Sequence, residues 1–154
     1  MSSMAAIEDF LAQKRLAIVG VSRKPQDFSR TLFAELRQRG YDVVPVNSGA
    51  DEIDGQTCFA HVRDIRPPVE GVLIMTPSAA SKQIVEECAD VGINRVWMYR
   101  AAGEGAVDPV AVAFCESHDI TVIPGECPFM FLPHAGWYHR WHGGFRKFFG
   151  GYPQ

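Results

Sequence analysis

Five short runs rich in Val and Ile divide this chain: residues 15–20 (RLAIVG), 41–46 (YDVVPV), 71–75 (GVLIM), 95–99 (RVWMY) and 120–123 (ITVI). Most are apolar without a break, the pattern of strands buried on both faces of a parallel sheet. Helix-like segments separate them. Phe28, Leu32 and Leu36 recur at i, i+4 and i+8, and Gly40 supplies a stop. "TPSAASKQIVEECADVG" opens on a candidate cap at Ser78, sets Ile84, Cys88 and Val91 on one face and ends at Gly92. "DPVAVAFCESHD" offers Asp108 as cap and Pro109 at the first helical position, where its missing donor costs nothing. Before the first strand, Ile7, Phe10 and Leu11 predict an amphipathic helix. Residues 47–70 carry the weakest pattern and read as a loop with one short helix around 59–65. Pro45 has no N–H to give a ladder, which puts it at the carboxyl end of its strand or on a sheet edge.

This alternation predicts an α/β fold: one doubly wound, Rossmann-like parallel sheet of about five strands, with helices on both faces. A chain of 154 residues matches one domain, with a core over about 14–131 and an aromatic C-terminal extension over 132–154. Such sheets bind ligands beyond the carboxyl ends of their strands, where the winding direction reverses. The elbow after Val19 and the segments starting at Asn47, Thr76 and Arg100 are therefore expected to converge. A formal charge of -3 argues against general nucleic-acid binding. No apolar run approaches the roughly 20 residues that span a bilayer. The N-terminus carries Glu8 and Asp9 and lacks a long apolar core, unlike a signal peptide. Cys58, Cys88, Cys115 and Cys127 are too dispersed for a CxxC pair and read as reduced thiols of a cytoplasmic protein.

The first strand and second helix meet in "IVGVSRKPQDFSRTLF". A dinucleotide fingerprint places three glycines here so that the backbone can approach a pyrophosphate. In that frame this chain has Gly20, Ser22 and Pro25, and the second strand ends on Asn47, which lacks the carboxylate that grips a ribose diol. NAD is disfavoured, and no G-K-[ST] loop occurs. What remains is a helix N-terminus with Ser22, Ser29 and the cations Arg23, Lys24 and Arg30, a setting that suits an anion with several phosphates. On the elbow alone, solvated loop and helix charges are an equally good reading.

"VGVSRKP", "VVPVN", "DGQTCFAHVRDI", "TPSAA" and "VWMYRAAGEG", in this order and spacing, together resemble the small CoA-binding proteins. Those are similar to the N-terminal CoA-binding domain of the succinyl-CoA synthetase alpha subunit. The likeness covers about residues 14–131, and "GECPFMF" resembles the segment that closes the synthetase domain. The resemblance implies that Gly20, Val21, Ser22, Arg23 and Lys24 wrap the CoA diphosphate, assisted by Ser29 and Arg30. It implies that Asn47 lies beside the adenosine, that Thr76, Pro77 and Ser78 wall the nucleotide cleft, and that Tyr99, Arg100 and Gly103 border the pantetheine arm. Arg30, Lys24 and Arg23 are the candidates for the 3'-phosphate. A succinyl-CoA synthetase also needs a phosphohistidine domain and a nucleotide-binding partner subunit, for which 154 residues are expected to leave no room.

The C-terminal stretch sets Trp137, Trp141, Phe145 and Phe148 on a roughly helical stripe beside Arg140, Arg146 and Lys147. The expectation is packing on the domain or on a second subunit, hence a homodimer; a membrane or RNA surface needs the stripe exposed. His134, His139 and His142 have no neighbouring acid or cysteine to complete a metal site, and none is assigned. Cys127 reads as a buried free cysteine, His61 and His118 as solvated, and Glu104 as a loop carboxylate that could act as a base. The resulting expectation is a cytoplasmic protein that binds coenzyme A or an acyl-CoA without catalysis of its own, as carrier, sensor or accessory subunit. The rivals are an NAD(P)-dependent oxidoreductase or acyl-CoA thioester enzyme, and an interaction module with a vestigial nucleotide cleft.

Overall fold

The computed structural model describes residues 3–100 and 103–132. Five parallel strands form the sheet: β1 (Arg15–Val19), β2 (Asp42–Val46), β5 (Gly71–Ile74), β6 (Arg95–Met98) and β7 (Thr121–Pro124). Their spatial order is β2-β1-β5-β6-β7, so the winding reverses between β1 and β5. Pairing runs in register from Arg15 opposite Asp42 to Val19 opposite Val46, and from Leu16 opposite Gly71 to Val19 opposite Ile74. β2 is an edge strand, which is how Pro45 is accommodated without costing a ladder donor.

Alternate residues of each strand feed two cores, because successive side chains leave a strand on opposite faces. Leu16, Ile18, Val43, Leu73 and Trp97 meet helices α1 (Met4–Leu11) and α2 (Phe28–Gln38), which bury Ile7, Phe10, Leu32, Phe33 and Leu36 against them. Ala17, Val19, Val44, Val72, Ile74 and Met98 meet α3 (Ser81–Asp90) and α4 (Pro109–Ser117) through Ile84, Val85, Cys88, Ala111 and Cys115. The fold is the α/β, doubly wound sheet expected, with helices on both faces. Phe10 meets Trp97 edge-on with ring centroids 5.4 Å apart, which anchors α1 to the sheet.

A cap explains one helix start and is missing at another. The Asp108 carboxylate accepts from Ala111 N, and Pro109 occupies the first turn of α4. Ser78 is no cap for α3. It begins a 3-10 turn (Ser78–Ala80), and its hydroxyl donates to Glu104 Oε2 at 3.2 Å. The segment 47–70 is more ordered than its pattern predicts. It holds a small antiparallel hairpin, β3 (Glu52–Ile53) with β4 (Gln56–Thr57), and a 3-10 turn (Val62–Asp64) in place of a helix over 59–65. The hairpin turns at Asp54 (φ 50°) and Gly55 (φ 80°), the Asp-Gly pair that two-residue hairpin turns favour.

All four cysteines are free and buried. Burial pushes the thiol of Cys88 far up and that of Cys115 to about 12, which keeps both protonated and unreactive at neutral pH. Among the described residues no helix is long and apolar enough to cross a membrane. The aromatic C-terminal stripe, its histidines and the dimer expected through it lie outside the described residues.

Candidate functional site

A cavity of about 350 Å³ opens at the carboxyl ends of β1, β2 and β5, where the winding reverses. That size is typical of a small-molecule site. Val19, Val46, Val62 and Ile84 give it apolar walls, and Gly20, Asn47 and Thr76 meet along its floor. Gly20 has φ +97°, and a Cβ there would stand 3.0 Å from Thr76 Cγ2 and 3.1 Å from Thr76 N. Only glycine lets the β1 elbow close against the β5 loop. Thr76 Oγ1 is buried in this contact without a hydrogen-bond partner.

The elbow is built largely by its own side chains. Ser22 N donates to Ser29 Oγ at 2.9 Å, Lys24 N donates to Ser22 Oγ at 3.0 Å, and Ser22 Oγ donates to Asp27 Oδ2 at 2.6 Å. Asp27 stands at the N-cap of α2, yet its carboxylate is taken by Ser22 and caps no amide. Gly20 N donates to Val46 O. Among the described residues, the elbow amides of Val21 and Arg23 and the first α2 amides, Phe28 and Ser29, find no protein acceptor.

Arg30 is tied into the structure. Its guanidinium pairs with Asp54 and donates to the carbonyls of Ser22 and Arg23 at 3.4 and 3.3 Å, with the side chain only 12% exposed. The hairpin turn thus supplies the carboxylate that fixes Arg30, a link the sequence carries only as the Asp-Gly pair. Asn47 is a brace as well: Nδ2 donates to Val21 O at 2.8 Å and Oδ1 accepts from Gly49 N at 2.7 Å. Arg23 and Lys24 are exposed and form no ion pair among the described residues.

Of the residues singled out from sequence, the cavity gathers Gly20, Asn47 and Thr76. Val21 and Ser29 are buried, while Ser22, Arg23, Lys24 and Arg30 lie on the elbow outside the cavity lining, Arg30 facing a separate surface cavity with Pro25 and Asp54. Pro77 and Ser78 continue from Thr76, with Ser78 directed at Glu104. Tyr99 and Arg100 stand away from the cavity beyond β6. The Tyr99 ring lies 5.7 Å from Phe28, which in turn meets Phe129 edge-on at 5.4 Å. Burial pushes the Tyr99 hydroxyl up to about 12. Gly103 is exposed, with φ +66° and open space around it.

Three lining residues escape the sequence patterns: His61, Gln83 and Glu87. His61 is no solvated helix residue. It precedes the 62–64 turn, and its Nδ1 lies 3.2 Å from Glu87 Oε2, which also accepts from Gln83 Nε2 at 3.4 Å. Glu87 is only 4% exposed, so these partners offset the cost of burying a carboxylate. The spacing of Gln83 and Glu87 on α3 was legible; that residue 61 comes round to meet them was not. Among the described residues no cluster of His, Cys, Asp or Glu could hold a metal ion.

A doubly wound parallel sheet with an open cavity at its switch point and a glycine-closed floor defines the Rossmann-like class of α/β proteins. The chain belongs to the CoA binding domain family, whose model matches residues 14–133. It is 28% identical over 126 residues to the uncharacterized protein YneT of Bacillus subtilis, covering 81% of this chain and 90% of that one. It is also 28% identical over 91 residues to the ADP-forming acetate–CoA ligase II subunit alpha of Pyrococcus furiosus. That match takes 58% of this chain and spans only 20% of the ligase subunit. Among solved structures, a conserved hypothetical protein from Pyrococcus furiosus superposes with TM-score 0.67 at 26% identity, covering 74% of this chain and 95% of that one. A hypothetical protein from Pyrococcus horikoshii gives TM-score 0.75 at 24% identity over 83% and 87% of the two chains, a likeness of fold.

Proposed function

We propose that this single-domain chain binds coenzyme A or an acyl-CoA in the cleft above β1, β2 and β5, as a cytoplasmic carrier, sensor or accessory subunit with no catalytic step of its own. The observation that carries the reading is the coincidence, at the switch point, of an open cavity with two nearby elbow cations, Arg23 and Lys24, on which no carboxylate closes among the described residues. The adenosine occupies the cavity. The diphosphate lies over Gly20 and the elbow amides, where the helix dipole and Arg23 and Lys24 offset its charge. The pantetheine arm leaves between Thr76–Ser78 and Tyr99–Gly103. Membership of the CoA binding domain family supports this choice of ligand, and the likeness to an acetate–CoA ligase subunit supports the accessory-subunit role.

Thermal unfolding with CoA, NAD, NADP and no ligand tests it. A ligand at 100 times its dissociation constant stabilises by about 2.7 kcal/mol, a rise of several degrees for a domain of this size. CoA is expected to give that rise and NAD little, because Asn47 offers a ribose diol no carboxylate. A larger response to NAD or NADP than to CoA sinks the reading. Silence with every nucleotide favours an interaction module instead.

A further inference from the structure

The three elbow cations are not equivalent, and their placement says which one faces the ribose. Arg30 is held by Asp54 and two elbow carbonyls, with its buried Nε left without a partner. Lys24 and Arg23 are both exposed and neither lines the cavity itself, but no side-chain contact of Lys24 with the segment after β2 occurs among the described residues. Arg23 reaches the start of the segment that follows β2, whereas Arg30 reaches the hairpin turn further along it at Asp54. Arg23 Nη1 approaches Gly49 O at 3.3 Å, and a Cβ on Gly49 would stand 3.7 Å from Arg23 Cζ and Nε. The guanidinium therefore lies over Gly49, next to Asn47 and Ser48, which line the cavity mouth.

In dinucleotide-binding Rossmann folds an acid after the second strand meets the ribose 2'-hydroxyl, and an arginine nearby accommodates the 2'-phosphate of NADP. An arginine at the same place can meet the 3'-phosphate of CoA. Here the residue after the strand is the neutral Asn47, which repels no phosphate. Its amide also holds the two loops in fixed relation, from Val21 O to Gly49 N. The contact of Arg23 with Gly49 O is long for a hydrogen bond and faces solvent, so a phosphate can replace or share it with two shorter, charge-assisted bonds. Thr76 Oγ1 beside the cleft is left without a protein partner. We infer that Arg23 reads the ribose 3'-phosphate and separates CoA from dephospho-CoA, whereas Arg30 only shapes the elbow. The inference rests on the CoA reading above.

Calorimetric titration of the full chain with CoA and with dephospho-CoA tests it, in wild type, Arg23→Ala, Arg23→Lys and Lys24→Ala. Wild type should prefer CoA by about tenfold or more, the scale of one lost charge-assisted contact. Arg23→Ala should bring the ratio close to one by weakening CoA far more than dephospho-CoA, and Arg23→Lys should restore part of it. Lys24→Ala should weaken both ligands alike. The inference is overturned if Arg23→Ala keeps the wild-type ratio, or if wild type binds both compounds equally. Wild type binding neither overturns the CoA reading itself, a result separate from either of those. Arg23 is exposed, so unchanged unliganded melting points are expected and show that the variants fold.

Discussion

At the amino-terminal rim of the sheet, cations end on carboxylates: Arg15 on Asp42 and Arg95 on Asp9, each at 2.7 Å. At the carboxyl-terminal rim Arg23 and Lys24 adjoin in sequence, with no carboxylate closing on either among the described residues. The two rims hold the same chemistry in opposite states. A closed pair spends its charge on holding strands and α1 in place, whereas adjacent open cations repel each other until an external anion arrives. Closed pairs thus lie at one end of the sheet and the proposed ligand site at the other, and substitutions should separate the two.

The largest effect is expected at Gly20. Gly20→Ala puts a Cβ 3.0–3.2 Å from Thr76 and the end of β5 and forces an L side chain to φ +97°. Strain of this kind costs about 1–3 kcal/mol, a fall of several degrees in Tm. CoA affinity should fall as well, because the cleft floor must shift. A variant that melts within a degree of wild type and binds CoA unchanged would break the picture of a glycine-closed cleft.

Arg30 sharpens the contrast from within the carboxyl-terminal rim. Arg30→Ala removes the tie to Asp54 and the two carbonyl contacts, an expected loss of about 1–2 kcal/mol in urea unfolding. Asp54→Ala should cost less, under about 1 kcal/mol, because the aspartate is 43% exposed and water screens the pair. Neither change should alter the preference for CoA over dephospho-CoA. If Arg30→Ala leaves the unfolding midpoint in place but erases that preference, Arg30 belongs with the open cations.

The unbroken Val and Ile runs make the sheet legible, since a strand buried on both faces shows one composition throughout. Asp108 with Pro109, and Gly40 and Gly92, are equally local signals, and the structure uses each as expected. The site is legible only where chemistry follows directly from a strand end, as at Gly20, Asn47 and Thr76. His61 and Glu87 are 26 residues apart and meet only because the 62–64 turn lies against α3, a tertiary fact with no periodicity. Arg30 looks like a ligand cation until Asp54 is brought to it, and the Asp-Gly turn was the one available clue. Ser78 and Asp27 show a further limit: residues suited to capping are drawn to nearer partners, Glu104 and Ser22.

The smallest effect belongs to the amino-terminal rim and is read through pH. The Glu70 carboxylate accepts from Arg15 N and Lys14 N, both at 2.9 Å, where the chain enters β1. These amides, Arg15 first, hold its carboxyl below the usual glutamate range, with a lesser contribution from Arg95. A carboxyl lowered in the folded state adds stability above its unfolded pKa, about 4.3, and that stability is lost as pH falls through the folded value. Glu70→Gln should therefore melt slightly below wild type at pH 7, with the gap closing as pH drops below about 4. CoA binding should be untouched, since Glu70 is at the opposite end of the sheet from the cleft. A gap as wide at pH 3 as at pH 7 would mean that packing, and not charge, holds this rim. A loss of CoA affinity in the same variant would show that the two rims are coupled.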